Sequence, residues 1–301
     1  MKGETDSKES VFFIMNKLKA LIYQQKEWDP HLLSTGYPAF PVENISKEAL
    51  GVWKLQADEV LLIAATDASV CMAQNLHMAV AAYSSPEFPG QQFPGVWMVI
   101  EGFEEIDDGF LERIFLRCHN LPWEIARTDR CIIRELTIED LPALEKLYEK
   151  EGVSWRKNEK GEKIPGFIEP LFPYEEEKEY QQAYISNMYR YYGYGMWLIF
   201  DKATQQLIGR AGLEHREFAQ GTELELGYVI DPDRQGQGLA TEVCTAILAF
   251  AREELDFSRV NALTDAKNAA SIALLHKLGF RYLEETDVSG DRTHRYIYEF
   301  S

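Results

Sequence analysis
Two apolar periods alternate along this chain, one of the kind that strands show and one of the kind that helices show. Residues 11–25 place Phe12, Met15, Leu18, Leu21 and Ile22 on one helical face and predict a helix. Residues 60–65 are apolar throughout, the pattern of a buried strand in a parallel sheet. A helix over 69–76, strands over 78–83 and 96–100 and a helix over 107–117 follow. Strands alternating with helices imply a small parallel sheet. A second series opens with a strand over 131–136. The next helix spans 138–150, with Thr137 as its N-cap and Asp140 at the third position. Residues 152–172 read as a long irregular loop, a length usually tied to function or disorder. A helix over 174–192 leads to a hairpin of 196–200 and 207–213.

The stretch 223–280 carries the clearest chemistry. From Glu223 to Ile230 acid alternates with apolar, a strand's period, until Asp231-Pro232-Asp233 stops it. Gln235-Gly236-Gln237-Gly238-Leu239-Ala240-Thr241 then opens a helix predicted to run to about Leu255. Glycines leave the N–H groups of such a turn unobstructed, and the positive end of the helix dipole adds to them, so the turn suits a phosphate. A dinucleotide fingerprint would need a third glycine where Thr241 stands, and a nucleotide P-loop would need Gly-Lys-Ser/Thr, which is absent. A strand over 260–264, a helix begun by Asn268 and ended at Gly279, and strands over 281–283 and 294–300 close the chain.

Composition narrows the classes. Of 301 residues 46% are apolar and 27% charged, the profile of a soluble globular chain with room for two domains. The net charge of −18 argues against a nucleic-acid partner. Any anionic ligand would need local basic groups to overcome it. Cys71, Cys118, Cys131 and Cys244 show neither a close pair nor a metal spacing and are expected to be reduced, buried thiols. No signal-peptide core and no apolar run of about 20 residues is seen, so a cytoplasmic location without a membrane partner is expected. The expected domains are 1–125 and 130–301, joined at Asn120-Leu121-Pro122-Trp123-Glu124.

Three pieces occur in order: the Ile133-Arg134 strand with Thr137-x-x-Asp140-Leu141, then Gln235-x-x-Gly238-x-Ala240, then Asn268-x-x-Ser271 with Lys277-Leu278-Gly279-Phe280. Together they resemble the Gcn5-related N-acetyltransferases (GNAT) over about 130–300, and the ribosomal-protein-serine/alanine type among them. The resemblance implies an α/β fold with a mixed central sheet flanked by helices. It implies acetyl transfer from acetyl-CoA, as cosubstrate, to a primary amine by direct attack in a ternary complex. The acceptor would be a small molecule or a protein N-terminus, and no metal is implied. By the family pattern Tyr228, Val229 and Ile230 pair with the pantetheine arm, with a free N–H at Val229 or Ile230 for the thioester oxygen. Gln235, Gly236, Gln237, Gly238, Leu239, Ala240 and Thr241 cradle the pyrophosphate, and Asn268 and Ser271 contact the pantetheine. Arg234, Arg210 and Lys267 would offset coenzyme charge.

The nucleophile must be a neutral amine. Deprotonation at pH 7 costs about 4.6 kcal/mol for a lysine-like amine and only ~1 kcal/mol for an α-amine. Glu225 is the candidate base, with Glu223, Glu214 and His215 as alternatives. Many family members carry a tyrosine five residues before the motif's phenylalanine as proton donor to the thiolate; here Leu275 stands there. Ser271, water or an unprotonated thiolate would replace it. Tyr191, Tyr194 and Trp197, from an aromatic stretch over 188–197, are the candidate acceptor wall. A non-catalytic acyl-CoA sensor or interaction protein is the competing reading.

The amino-terminal half carries a second resemblance. A strand, Thr66-Asp67, a helix and the strand after His77 resemble the later half of haloacid-dehalogenase-type phosphatase domains, over about 55–117. No Asp-x-Asp nucleophile precedes residue 60, and the acidic metal ligands are reduced to Asp67. Phosphoryl transfer would lack both attack and charge neutralisation. A degenerate Rossmann-like module is expected, serving packaging, homodimer formation or ligand sensing.

Overall fold
A computed structural model describes residues 17–24, 26–158, 160–166, 168–218, 221–288 and 291–300. The chain divides into two compact units, Met1–Leu121 and Pro122–Ser301.

The first unit holds strands β1 (Ala20–Gln24) and β2 (Ala39–Val42), helix α1 (Lys47–Val52), β3 (Val60–Ala64), α2 (Asp67–Asn75), β4 (Ala79–Tyr83), β5 (Val99–Ile100) and α3 (Asp108–Cys118). Its five strands are all parallel, in the order β2-β1-β3-β4-β5. This is a doubly wound sheet in which the order of strand addition reverses between β1 and β3.

Here the sequence reading needs correction. Residues 11–16 lie outside the described residues, and the rest of the expected 11–25 helix contains β1. Leu18, Leu21 and Ile22 fit helical spacing, yet Ala20, Leu21 and Ile22 are all fully buried. Leu21 and Tyr23 pack into one core cluster and Ala20 and Ile22 into another, so both faces of the strand are covered. A strand buried on both faces loses its alternation and can mimic a helix stripe. The strand expected over 96–100 shrinks to two edge residues.

At the carboxyl edge of this sheet the buried Glu27 accepts from Ala65 N–H (2.7 Å) and Thr66 Oγ1 (2.6 Å), and Ser69 Oγ also donates to it. Asp67 accepts from the N–H groups of Gln92 (3.0 Å) and Phe93 (2.7 Å), so its carboxylate holds a loop. All four cysteines are free thiols. Only Cys131 and Cys244 are buried; Cys71 is exposed and Cys118 half-buried, which corrects the expectation for those two.

The second unit holds β6 (Glu124–Arg127), β7 (Cys131–Arg134), α4 (Leu141–Tyr148), β8 (Trp155–Lys157), β9 (Lys163–Pro165) and α5 (Tyr174–Tyr184). It continues with β10 (Met196–Asp201), β11 (Leu207–Phe218), β12 (Gly221–Ile230), α6 (Leu239–Glu253), β13 (Arg259–Asp265), α7 (Ala269–Leu278), β14 (Arg281–Val288) and β15 (Asp291–Glu299). Eight strands form a mixed sheet in the order β14-β15-β13-β12-β11-β10-β7-β6. Thr137 and Asp140 make the expected capping box ahead of α4. The expected irregular loop over 152–172 contains the antiparallel pair β8–β9. The helix expected over 174–192 is α-helical only to Tyr184 and π-helical over Ile185–Tyr192, ending at the left-handed Gly193. Among the described residues no helix is long and apolar enough to cross a membrane.

Candidate active site
β12 is the axis of the site. On one edge it pairs with β11 along ten residues, from Gly209↔Ile230 to Phe218↔Gly221. On the other edge it runs parallel to β13 and pairs at a single position, Glu225↔Asn261. Beyond that position the ladder ends. Asp231 N–H donates to Ile208 O on the β11 side (2.8 Å). Successive residues of a strand present their N–H groups to opposite edges. Ile230 and Tyr228 therefore turn theirs toward the β13 side, where ladder pairing has stopped. The Ile230 N–H is thus turned to the unpaired side, and the Val229 N–H faces β11.

The turn that follows leads into α6. Gly236 (φ +73) and Gly238 (φ +79) both sit in the left-handed region that disfavours any side chain. No side chain caps α6 at Gly238, so its first N–H groups face outward from the glycine turn. Gln235 Nε2 donates to Ile230 O (3.0 Å) and ties the turn to the strand end. Arg130 braces it from β7's approach: Nη1 donates to Gln237 O (2.8 Å) and Nη2 pairs with Glu242 (2.6 Å). Burial raises the Glu242 carboxyl pKa, but hydrogen bonds from Thr128 and Arg130 outweigh it and hold the group below the ordinary range. Arg234 pairs with Asp201, and Arg210 is buried among Tyr148, Tyr184 and Tyr189. Arg234 directly precedes the turn, and Arg130, which the sequence reading did not name, also touches it; each is ion-paired with a carboxylate. Nothing in the local sequence marks Arg130, because 107 residues separate it from Gln237.

The two acids on β12 share a face and differ in their partners. Glu223 is ion-paired with Arg259 (2.9 Å) and the buried Arg295 (3.2 Å), and accepts from Asn261 Nδ2 (2.8 Å). Its lone pairs are taken up in holding β12 to β13 and β15. Glu225 pairs with Arg216 (2.5 Å) and stands directly across from Glu214 in the β11–β12 register. Burial pushes the Glu225 carboxyl pKa up, Arg216 opposes this, and Glu214 adds to it. Next to it Gly227 and Gly212 sit opposite one another, and the Gly195 carbonyl and the Met196 side chain fill the space that side chains there would take.

Tyr228 points to the other face. Its hydroxyl is 2.7 Å from Ser271 Oγ, at the start of α7, where Asn268 caps by accepting from Ser271 N–H (3.2 Å). Burial raises the Tyr228 hydroxyl pKa far above its ordinary value, so it stays protonated. Leu275, where the family pattern would put a tyrosine, is fully buried in the core. Of the three aromatics expected to wall the acceptor site, Trp197 is fully buried against Phe250. Tyr194 is buried with its hydroxyl 2.5 Å from His215 Nε2, and burial pushes its pKa up to about 12. Tyr191 is 80% exposed. The three do not converge on one surface.

A glycine turn into an uncapped helix, beside parallel strands that part after one pair, is matched by the family comparison. Residues 130–281 match the model of the acetyltransferase (GNAT) domain. The chain belongs to the GNAT family. Among curated relatives, the uncharacterized protein YkkB of Bacillus subtilis (strain 168) is 33% identical over 91 residues, 30% of this chain and 53% of YkkB. The uncharacterized N-acetyltransferase YoaA of the same organism is 28% identical over 158 residues, 52% of this chain and 82% of YoaA. The chain thus spans about half the length of the first of these and most of the second. Among solved structures, an acetyltransferase from Agrobacterium tumefaciens str. C58 aligns at 22% identity and a TM-score of 0.46, over 58% of this chain and 94% of that one. The matched residues 130–281 all lie in the second unit, and the first unit lies before them.

Proposed function
We propose that this protein transfers an acetyl group from acetyl-CoA to a primary amine by direct attack in a ternary complex. The observation that carries the reading is the parting of β12 and β13 after Glu225↔Asn261, with a carboxylate at the mouth and an uncapped helix N-terminus beyond it. The residues fit the cosubstrate. The glycine turn at Gly236 and Gly238 leaves backbone N–H groups open for a pyrophosphate, and Arg130 supplies a nearby cation. The outward N–H groups of Tyr228 and Ile230 suit the amides and carbonyl of an extended arm. Acetyl-CoA supplies the acetyl group as a thioester; in the net reaction an N–C bond forms, a C–S bond breaks and coenzyme A leaves.

The chain's own residues divide the proton work between the two faces of β12. Glu225 takes a proton from the acceptor amine on one face, directly or through water. Its raised pKa brings it closer to the working range of a general base. On the other face Ser271, hydrogen-bonded to the protonated Tyr228, donates toward the departing sulfur. Together they replace the donor missing at Leu275.

Release of coenzyme A on adding amines, followed with a thiol reagent, tests the reading. Glu225→Gln should slow turnover at neutral pH by about 10²–10⁴-fold while leaving coenzyme A affinity unchanged. Tight coenzyme binding without release across a panel of amines and peptides would favour a non-catalytic acyl-CoA sensor.

A further inference from the structure
Resting on that reading, we propose that Glu214 is a second carboxylate of the acceptor site: it holds the incoming ammonium group opposite Glu225 and sets how readily Glu225 takes the proton. The two residues are cross-strand partners, so their side chains leave the same face of the sheet side by side. Like charges directly opposite one another destabilise a strand pair. Arg216 is ion-paired with Glu225. Glu214 forms no ion pair among the described residues, and its contact there is the Tyr184 hydroxyl, which donates to Oε1 (3.0 Å). Arg216 is thus committed to Glu225, and the next guanidinium, that of Arg210, lies deeper and buried.

Glu214 is held in place. Tyr184 is buried, and its hydroxyl also accepts from Met196 N–H (2.7 Å), which fixes it to the start of β10. Met196 in turn lies beside Gly227, next to Glu225 on the same strand face. Gly195 and the Met196 side chain cover Gly212 and Gly227, whereas the Arg216 side chain is 39% exposed, so the pair of acids meets solvent on the Arg216 side.

The charged and titratable groups around the pair come from three elements. β11 supplies Arg216 and, deeper, Arg210; β12 supplies Glu223, already engaged by Arg259 and Arg295. α5 supplies Tyr184 and Tyr180, the latter raised in pKa by burial and then by Glu214. Arg216 and Glu214 act on Glu225 in opposite senses: the cation stabilises its carboxylate and the anion destabilises it.

The chemical class that fits is an alkyl amine arriving as a cation. Its ammonium group bonds to Glu214 and passes one proton to Glu225. The freed lone pair then forms the N–C bond, the C–S electron pair leaves on sulfur, the second nitrogen proton goes to that thiolate, and Glu214 remains a carboxylate throughout.

The test uses the full chain with 1,4-diaminobutane and glycinamide as acceptors, in calorimetry with coenzyme A present and in steady-state kinetics across pH. Glu214→Gln should weaken acceptor binding and raise KM about tenfold, with a smaller change in kcat. It should move the acidic limb of kcat/KM to lower pH, because removing the like charge lowers the Glu225 pKa. Arg216→Gln should move that limb to higher pH. A merely structural role for either residue would not produce opposite shifts. Unchanged KM and limb in Glu214→Gln, limbs moving the same way in both variants, or no binding of either amine to the wild-type protein would overturn the proposal. Glu225→Gln separates the two readings. Full activity in that variant removes the base itself, whereas its inactivity beside an unaltered Glu214→Gln removes only the second carboxylate.

Discussion
Glu223 and Glu225 look interchangeable along the strand, and Glu223→Ala is the substitution that separates fold from chemistry. Arg295, with a side chain only 3% exposed, pairs with Glu223 at 3.2 Å and with Glu284 at 2.9 Å. It also donates to Asn261 Oδ1 (2.9 Å) and lies 3.6 Å over the Phe218 ring. Removing one partner of a buried ion pair costs about 3–5 kcal/mol, because the other charge stays buried. Glu284 remains, but its side chain is 43% exposed and compensates only in part. A loss of about 2–3 kcal/mol is therefore expected, by discounting that range for the surviving partners. For a unit of this size each kcal/mol lowers Tm by roughly 2–4 °C, so the midpoint should fall by about 4–12 °C. Circular dichroism melts of the full chain measure it. Glu223→Ala combined with Arg295→Met should recover part of the loss, since the stranded charge is gone. Coenzyme A release measured well below the midpoint should keep kcat within a few-fold of wild type. A midpoint shift under about 1 °C, or a fall in kcat beyond a hundredfold in folded protein, would refute the reasoning and return Glu223 to the list of bases.

Two further outcomes follow from the cosubstrate side. Gly238→Ala forces a side chain into the left-handed region at about 1–2 kcal/mol, and should weaken coenzyme A binding in calorimetry with little effect on the Glu225-dependent pH limb; an unchanged Kd counts against the loop as the pyrophosphate site. Tyr228→Phe removes the hydroxyl 2.7 Å from Ser271 Oγ and should lower kcat about tenfold at constant coenzyme A affinity, read from steady-state turnover and calorimetry together; unaltered kcat would show that the departing thiolate needs no help from this pair.

The stretch from Glu223 to Phe280 was legible because its signals are local. A period of two marks β12, a proline ends it, and glycines stand where the backbone must take positive φ at Gly236, Gly238 and Gly279. Each is decided by a residue and its immediate neighbours, so the sequence alone determined the strand, the turn and the helix that follows. The same holds for the capping box at Thr137 and Asp140.

What the tertiary structure decided depends on partners remote in the chain. β1 is a strand because other elements bury both of its faces, which its helix-like spacing did not reveal. Trp197 is core because Phe250 meets it from α6, although it lies in an aromatic stretch like those that line pockets. Glu223 and Glu225 repeat one local pattern; Arg259, Asn261 and Arg295 claim the first, while Arg216 and Glu214 flank the second. A side chain's type fixes what chemistry it can do. Its charge, burial and free lone pairs are set by groups that only the register of the sheet brings within a few ångströms of it.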